Sequence, residues 1–155
     1  MALSRADGAK PPDAFEAAVR LLTGRAHSEL ELRRKLVRRG CAPDDVDRAL
    51  TRARGLGYLD DAAFARGLTA QRARSRGPAL IAAELAARGV DRQVVRDAVG
   101  AVDRGALVAA ARRLAARGAN RDADRRLVAG RLLRRGFPGD VVREALGPEV
   151  EVEPE

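Results

Sequence analysis

The chain has 155 residues, 46% of them hydrophobic, yet only 3% aromatic and without tryptophan, which excludes one large aromatic core and favours several small aliphatic ones. A formal charge of +8, from 30 Lys and Arg against 22 Asp and Glu, points to a polyanionic partner through steering and counterion release. The single cysteine, Cys41, excludes an intrachain disulfide and fits a reducing cytoplasm.

Residues 1–12 are polar, end in Pro11-Pro12 and hold no apolar leader, so they are expected to form a disordered tail. No later stretch approaches the length of a membrane span, so a cytoplasmic protein with no membrane contact is expected. A first unit covers residues 13–56. Phe15, Val19 and Leu22 stand at helical spacing. Ser28-Glu29-Leu30-Glu31 is a capping box that opens a second helix, with Ser28 at the N-cap and Glu31 at N3. Leu32 and Leu36 form its buried face. Gly40 ends it, because the position after a helix commonly requires a left-handed residue. Pro43-Asp44-Asp45 then starts a third helix, with acid at the positive end of its dipole, and Val46 and Leu50 are its apolar pair.

The second unit, residues 57–101, repeats the plan. Phe64 and Leu68 mark its first helix, Gly77-Pro78 opens the second, and Ile81 and Leu85 face inward. Gly89 stops that helix, Asp91 starts the next, and Val95 and Val99 complete it. The third unit, residues 102–147, has Leu107, Ala111 and Leu114 in its first helix. Asp122 or Asp124 caps the second, where Val128 and Leu132 face inward. Gly136 closes it, and Pro138-Gly139-Asp140 begins the last helix, with Val142 and Leu146. Residues 148–155 are acidic and short and are expected to be a second disordered tail.

The three glycines align five apolar columns without a gap: Leu32, Ile81 and Val128; Leu36, Leu85 and Leu132; Val46, Val95 and Val142; Ala49, Ala98 and Ala145; Leu50, Val99 and Leu146. A common period of this kind marks repeated supersecondary units. Strand alternation is absent. The predicted fold is all-α, three tandem three-helix repeats.

Catalysis needs convergent acids, bases, nucleophiles or metal ligands. His27 is the only histidine and reads as a polar loop residue beside the Ser28 cap. Cys41 follows a helix-ending glycine and reads as a small buried filler rather than a reactive thiol. Asp44-Asp45 and Asp60-Asp61 each precede an apolar helical run, so capping outweighs acid–base or Mg²⁺ chemistry. Gly55-Leu56-Gly57 lacks the Gly-Lys-Ser/Thr of a phosphate-cradling loop. No catalytic residue, metal site or cofactor is predicted, and the chain is expected not to be an enzyme.

Charge is more informative. With Leu32 and Leu36 inward, Arg34, Lys35 and Arg38 cluster on the outer side of their helix with Glu31 near them, and Arg131, Arg134 and Arg135 take the matching sector of the third unit. In the second unit that sector (Ala83, Glu84, Ala87, Arg88) is nearly neutral, and the charge sits at Arg66, Arg72, Arg74 and Arg76. The run Arg72-Ala73-Arg74-Ser75-Arg76 contains no acid of its own, so helix-face pairing does not account for it. Major-groove reading is disfavoured, because acids lead the third helix of each unit. Stacking on single strands is disfavoured too, because Tyr58, Phe15, Phe64 and Phe137 are few and the phenylalanines sit at core positions.

These residues resemble a known family. Arg25-Ala26-His27-Ser28-Glu29-Leu30-Glu31-Leu32-Arg33-Arg34-Lys35-Leu36 is similar to the first-repeat signature of the bacterial regulatory RecX family. Gly57-Tyr58-Leu59-Asp60-Asp61-Ala62-Ala63-Phe64-Ala65 resembles its best-known motif, and Arg88-Gly89-Val90 and Arg135-Gly136-Phe137 fit its later repeats. The resemblance implies an elongated, curved array that binds the RecA recombinase filament on DNA and modulates, usually inhibits, its ATPase, strand exchange and co-protease activity. On that reading Arg33, Arg34, Lys35, Arg38, Arg72, Arg74, Arg76, Arg131, Arg134 and Arg135 form the surface facing RecA or DNA. Gly57, Tyr58, Leu59, Asp60, Asp61 and Phe64 are the family motif, and a monomer is expected. The alternative is a stand-alone, sequence-neutral protein that binds single- or double-stranded DNA directly.

Overall fold

In a computed structural model, residues 12–118 and 125–147 are described, and among them the only regular elements are helices. The expected tails, apart from Pro12, and the Asp122 or Asp124 cap lie outside the described residues. The helices are α1 (Ala14–Gly24), α2 (Glu29–Arg38), α3 (Pro43–Gly55), α4 (Asp61–Arg72), α5 (Pro78–Ala87), α6 (Arg92–Gly100), α7 (Arg104–Gly118), α8 (Arg125–Arg134) and α9 (Gly139–Leu146). They form three tandem three-helix repeats, distributed over two compact units, Met1–Asp61 and Ala62–Glu155.

In the first unit α1 and α2 both pack on α3. The core holds Leu32, Leu36, Val46, Leu50, Ala18 and Ala53. Asp13 caps α1 by accepting from the Glu16 amide at 2.9 Å. Ser28 and Glu31 make the reciprocal capping box of α2. The α2 C-terminus is a Schellman turn. Gly40 takes φ 84°, its N–H reaches the Val37 carbonyl, and the Cys41 N–H reaches the Leu36 carbonyl. That closure puts the residue after the glycine over the helix end, and apolar contact there is the usual partner of the motif. Cys41 is buried accordingly.

The same turn recurs at Gly89 and Gly136, with Val90 bonded to Leu85 O and Phe137 to Leu132 O. Both following residues are buried. Cys41, Val90 and Phe137 therefore make a sixth repeat column. A fourth Schellman turn ends α3 at Gly57 (φ 76°), yet its following residue, Tyr58, is 55% exposed. Leu59 then enters the first core, although by sequence it lies in the second repeat.

The second unit holds two cores. Phe64, Ile81, Leu85, Val95 and Ala98 form one; Leu107, Ala111, Val128, Leu132, Phe137, Val141 and Val142 form the other. Every residue of the five aligned columns is buried or packed against one of the three cores. The turn before α5 meets the turn after α8, with the Gly77 N–H donating to Arg135 O at 2.8 Å and the Ala79 N–H to Gly136 O at 3.3 Å. Gly77 has an ordinary φ of −81°. It is needed for closeness instead, since a Cβ there would lie 2.1 Å from Gly136 O.

Candidate interaction surface

In the first unit, α2 divides its cations between folding and solvent. Arg33 pairs with Asp47 of α3 at 2.5 Å. Lys35 is half-buried, with Nζ 2.8 Å from His27 Nε2. Arg34 and Arg38 are exposed and make no ion pair among the described residues. Between them stands Val37, a large apolar side chain 51% exposed.

His27 departs from the expectation of a polar loop residue, because it is only 3% exposed. Its Nδ1 lies 2.9 Å from Arg25 O, so Nδ1 donates and Nε2 accepts from the Lys35 ammonium. Burial pushes its pKa below the ordinary 6.5, the bond to Arg25 O works against that, and the Arg25 and Lys35 charges lower it further. The ring is a neutral polar plug behind the α2 cap.

The arginine run of the second unit is not free of acid, as its own sequence suggested. Glu84 of α5 lies nearby in the fold. Arg72 reaches it through two bonds, Nε to Oε2 at 2.9 Å and Nη2 to Oε1 at 3.0 Å. Arg76 donates to Oε2 at 2.9 Å and Arg88 to Oε1 at 2.8 Å. The Arg72 hydrogen bond, reinforced by Arg88, holds the Glu84 carboxyl below its ordinary value, against the opposing effect of burial. Such charge-assisted bidentate bonding fixes geometry as well as energy. Arg72 and Arg76 thus tie the end of α4 and the following turn to α5, and only Arg74 of the run stays exposed and unpaired among the described residues.

In the third repeat Arg131 and Arg134 lie exposed on α8, with Leu133 between them 38% exposed. Arg135 is exposed too, but its Nη1 donates to Ser75 O at 3.1 Å. Val37 and Leu133 occupy the same column, three residues before the glycine, and each is followed by an arginine, Arg38 or Arg134.

The family motif separates cleanly. Gly57 makes the turn, Leu59 enters the first core and Phe64 the second. Asp61, at the start of α4, accepts from the Glu29 N–H at 2.8 Å and so caps α2 from a distance in sequence. Burial raises the Asp61 pKa above its ordinary value, and the Glu29 N–H bond opposes that rise. Tyr58 has no place in either core. Sequence reasoning missed Arg113 and Arg117 of α7, which line a cavity together with Arg74 and Ser75. Their only sequence signal is the one-turn spacing of two like charges.

No group of three or more His, Cys, Asp or Glu residues that could hold a metal ion occurs among the described residues. No described helix is long and apolar enough to cross a membrane.

Comparison with known proteins converges on one family. The RecX first three-helix domain matches residues 14–52, and the RecX second three-helix domain matches residues 60–99. The regulatory protein RecX of Xanthomonas oryzae pv. oryzae is 38% identical over 135 residues, 84% of this chain and 84% of that protein. The one from Chlorobaculum tepidum is 33% identical over 144 residues, 90% of each. The fold of RecX from Lactobacillus salivarius superposes with a TM-score of 0.79 at 21% identity, covering 86% of this chain and 92% of that one. With two domain matches and identity above 30% along most of both chains, the chain belongs to the RecX family of regulatory proteins.

Proposed function

We propose that the chain binds the RecA recombinase filament and inhibits its ATPase, strand-exchange and co-protease activities, acting in recombinational DNA repair and the SOS response. It does so as a cytoplasmic monomer with no chemistry of its own. The observation that carries this reading is the repeated pairing of an exposed aliphatic residue with exposed arginines, Val37 beside Arg34 and Arg38, and Leu133 beside Arg134. A phosphate backbone offers nothing to Val37 or Leu133, whereas a protein surface with an apolar centre and an acidic rim suits both. Tandem repeats make the contact multivalent, so modest contacts add up along a polymer of identical subunits.

The test is a titration of the chain into the DNA-dependent ATPase of the cognate RecA. Inhibition is expected, and a triple Arg34→Glu, Arg38→Glu, Arg134→Glu variant should lose it. Unchanged inhibition by that variant would discard the assigned surface. Gel mobility on bare DNA against RecA-coated DNA separates the alternative: binding to bare DNA alone would favour a stand-alone DNA-binding protein.

A further inference from the structure

A cavity of about 450 Å³ opens in the second unit between the turn after α4 and the exposed face of α7. Among the described residues, Arg74, Ser75, Arg113, Leu114 and Arg117 line it, and none of these is a carboxylate. The three arginines arrive from two separate elements. Arg74 is available because its neighbours Arg72 and Arg76 both bind Glu84. The turn that carries it is held by Arg135 on Ser75 O and by the Gly77 N–H on Arg135 O. Arg113 and Arg117 stand one helical turn apart, a like-charge spacing that destabilises a helix unless something neutralises it. None of the three makes an ion pair among the described residues.

We propose that this cavity is a binding site for a small ligand bearing adjacent phosphate groups, such as an oligophosphate chain. Three guanidinium groups match phosphate oxygens through forked hydrogen bonds. Three positive charges converging on so little space are neutralised by linked phosphates more compactly than by the spaced carboxylates of an acidic peptide. Leu114 supplies an apolar wall for the part of the ligand that carries no charge. Arg74 belongs to the surface assigned to RecA or DNA, whereas Arg113 and Arg117 lie outside it, so a variant of those two tests the cavity without touching the assigned surface.

Calorimetric titration of the full chain with tripolyphosphate at constant ionic strength tests it. Saturable binding with one site per chain is expected. Arg113→Ala with Arg117→Ala should weaken it by about a hundredfold, roughly tenfold for each lost charge-assisted pair. The charge-matched control Arg66→Ala with Arg92→Ala should leave the affinity within about twofold, because both are exposed and neither lines the cavity. The ligand-free cavity variant should melt no lower than the parent, which separates loss of binding from loss of fold. ATP, run as a competitor, should displace the tripolyphosphate; displacement by a short single-stranded oligonucleotide and not by ATP would place these arginines in a nucleic-acid surface and overturn the separate site. Equal weakening by the control pair, absence of saturable binding, or equal affinity for an oligoglutamate peptide would overturn it.

Discussion

Replacing Gly77 by alanine tests the closest approach in the second unit. The added methyl carbon would lie 2.1 Å from Gly136 O, 2.2 Å from Gly136 C and 2.2 Å from Phe137 N, all backbone atoms that cannot swing aside. Ordinary contact begins near 3.4 Å, so the two turns must part by more than an ångström. At that separation the Gly77–Arg135 and Ala79–Gly136 bonds, now 2.8 and 3.3 Å, no longer exist. Two backbone bonds at about 0.5–1.5 kcal/mol each, with repacking of Leu80, give an expected cost of about 2–4 kcal/mol. The matched control is Gly67→Ala in α4, where nothing lies within 4 Å and φ is not positive. That change should stabilise by about 0.5–1 kcal/mol through helix propensity alone. Hydrogen exchange at the Leu85 and Leu132 amides, inside α5 and α8, reads the second unit directly. Exchange as slow in Gly77→Ala as in the parent would refute the packing of these two turns.

Three further outcomes are expected. Glu84→Gln removes the shared acceptor of Arg72, Arg76 and Arg88, and should lower the thermal midpoint by about 3–6 °C. Because the folded Glu84 pKa is depressed, its contribution is complete above the ordinary carboxylate value and is lost as pH falls through the lower folded one; acid titration of the parent against the glutamine variant measures this. The depressed His27 pKa works in the same direction: stability is full above the ordinary 6.5 and declines as pH drops through the folded value. His27→Gln should flatten the melting profile between about pH 7.5 and pH 5. Tyr58→Ala should leave stability within about 0.5 kcal/mol, because the ring is exposed, yet weaken RecA inhibition, whereas Leu59→Ala should cost about 2–4 kcal/mol. We place exposed Tyr58 in the contact with RecA on this ground, and inhibition unchanged in a folded Tyr58→Ala protein would refute that placement.

What could be read from the sequence was whatever repeats locally. Leu32 and Leu36 declare a helix face by spacing alone, and Gly40, Gly89 and Gly136 declare its end, because the constraint lies within a few residues. The Ser28–Glu31 box was legible for the same reason and is present as expected. Long-range pairing was not legible. Glu84 sits on a helical wheel that looks neutral, and nothing nearby in sequence says that Arg72 and Arg76 turn to it. Burial of His27 depends on Lys35 folding back over it. Capping of α2 by Asp61 depends on chain reversal between them. Among the ten basic positions, local sequence does not separate the cations that reach solvent from those that hold the fold. Arg34, Arg38, Arg74 and Arg134 are exposed without ion pairs among the described residues, while Arg72 and Arg76 hold the fold.

The residue after each repeat glycine is a thiol in the first repeat, a branched aliphatic in the second and a benzyl group in the third, and all three are buried. One architectural slot therefore accepts stoppers of very different volume, because each seals only the interior beneath it. Every repeat can be regauged at that slot without altering the helix geometry that displays its outward arginines. In this chain the exterior of each repeat differs while the interior beneath each stopper stays shut.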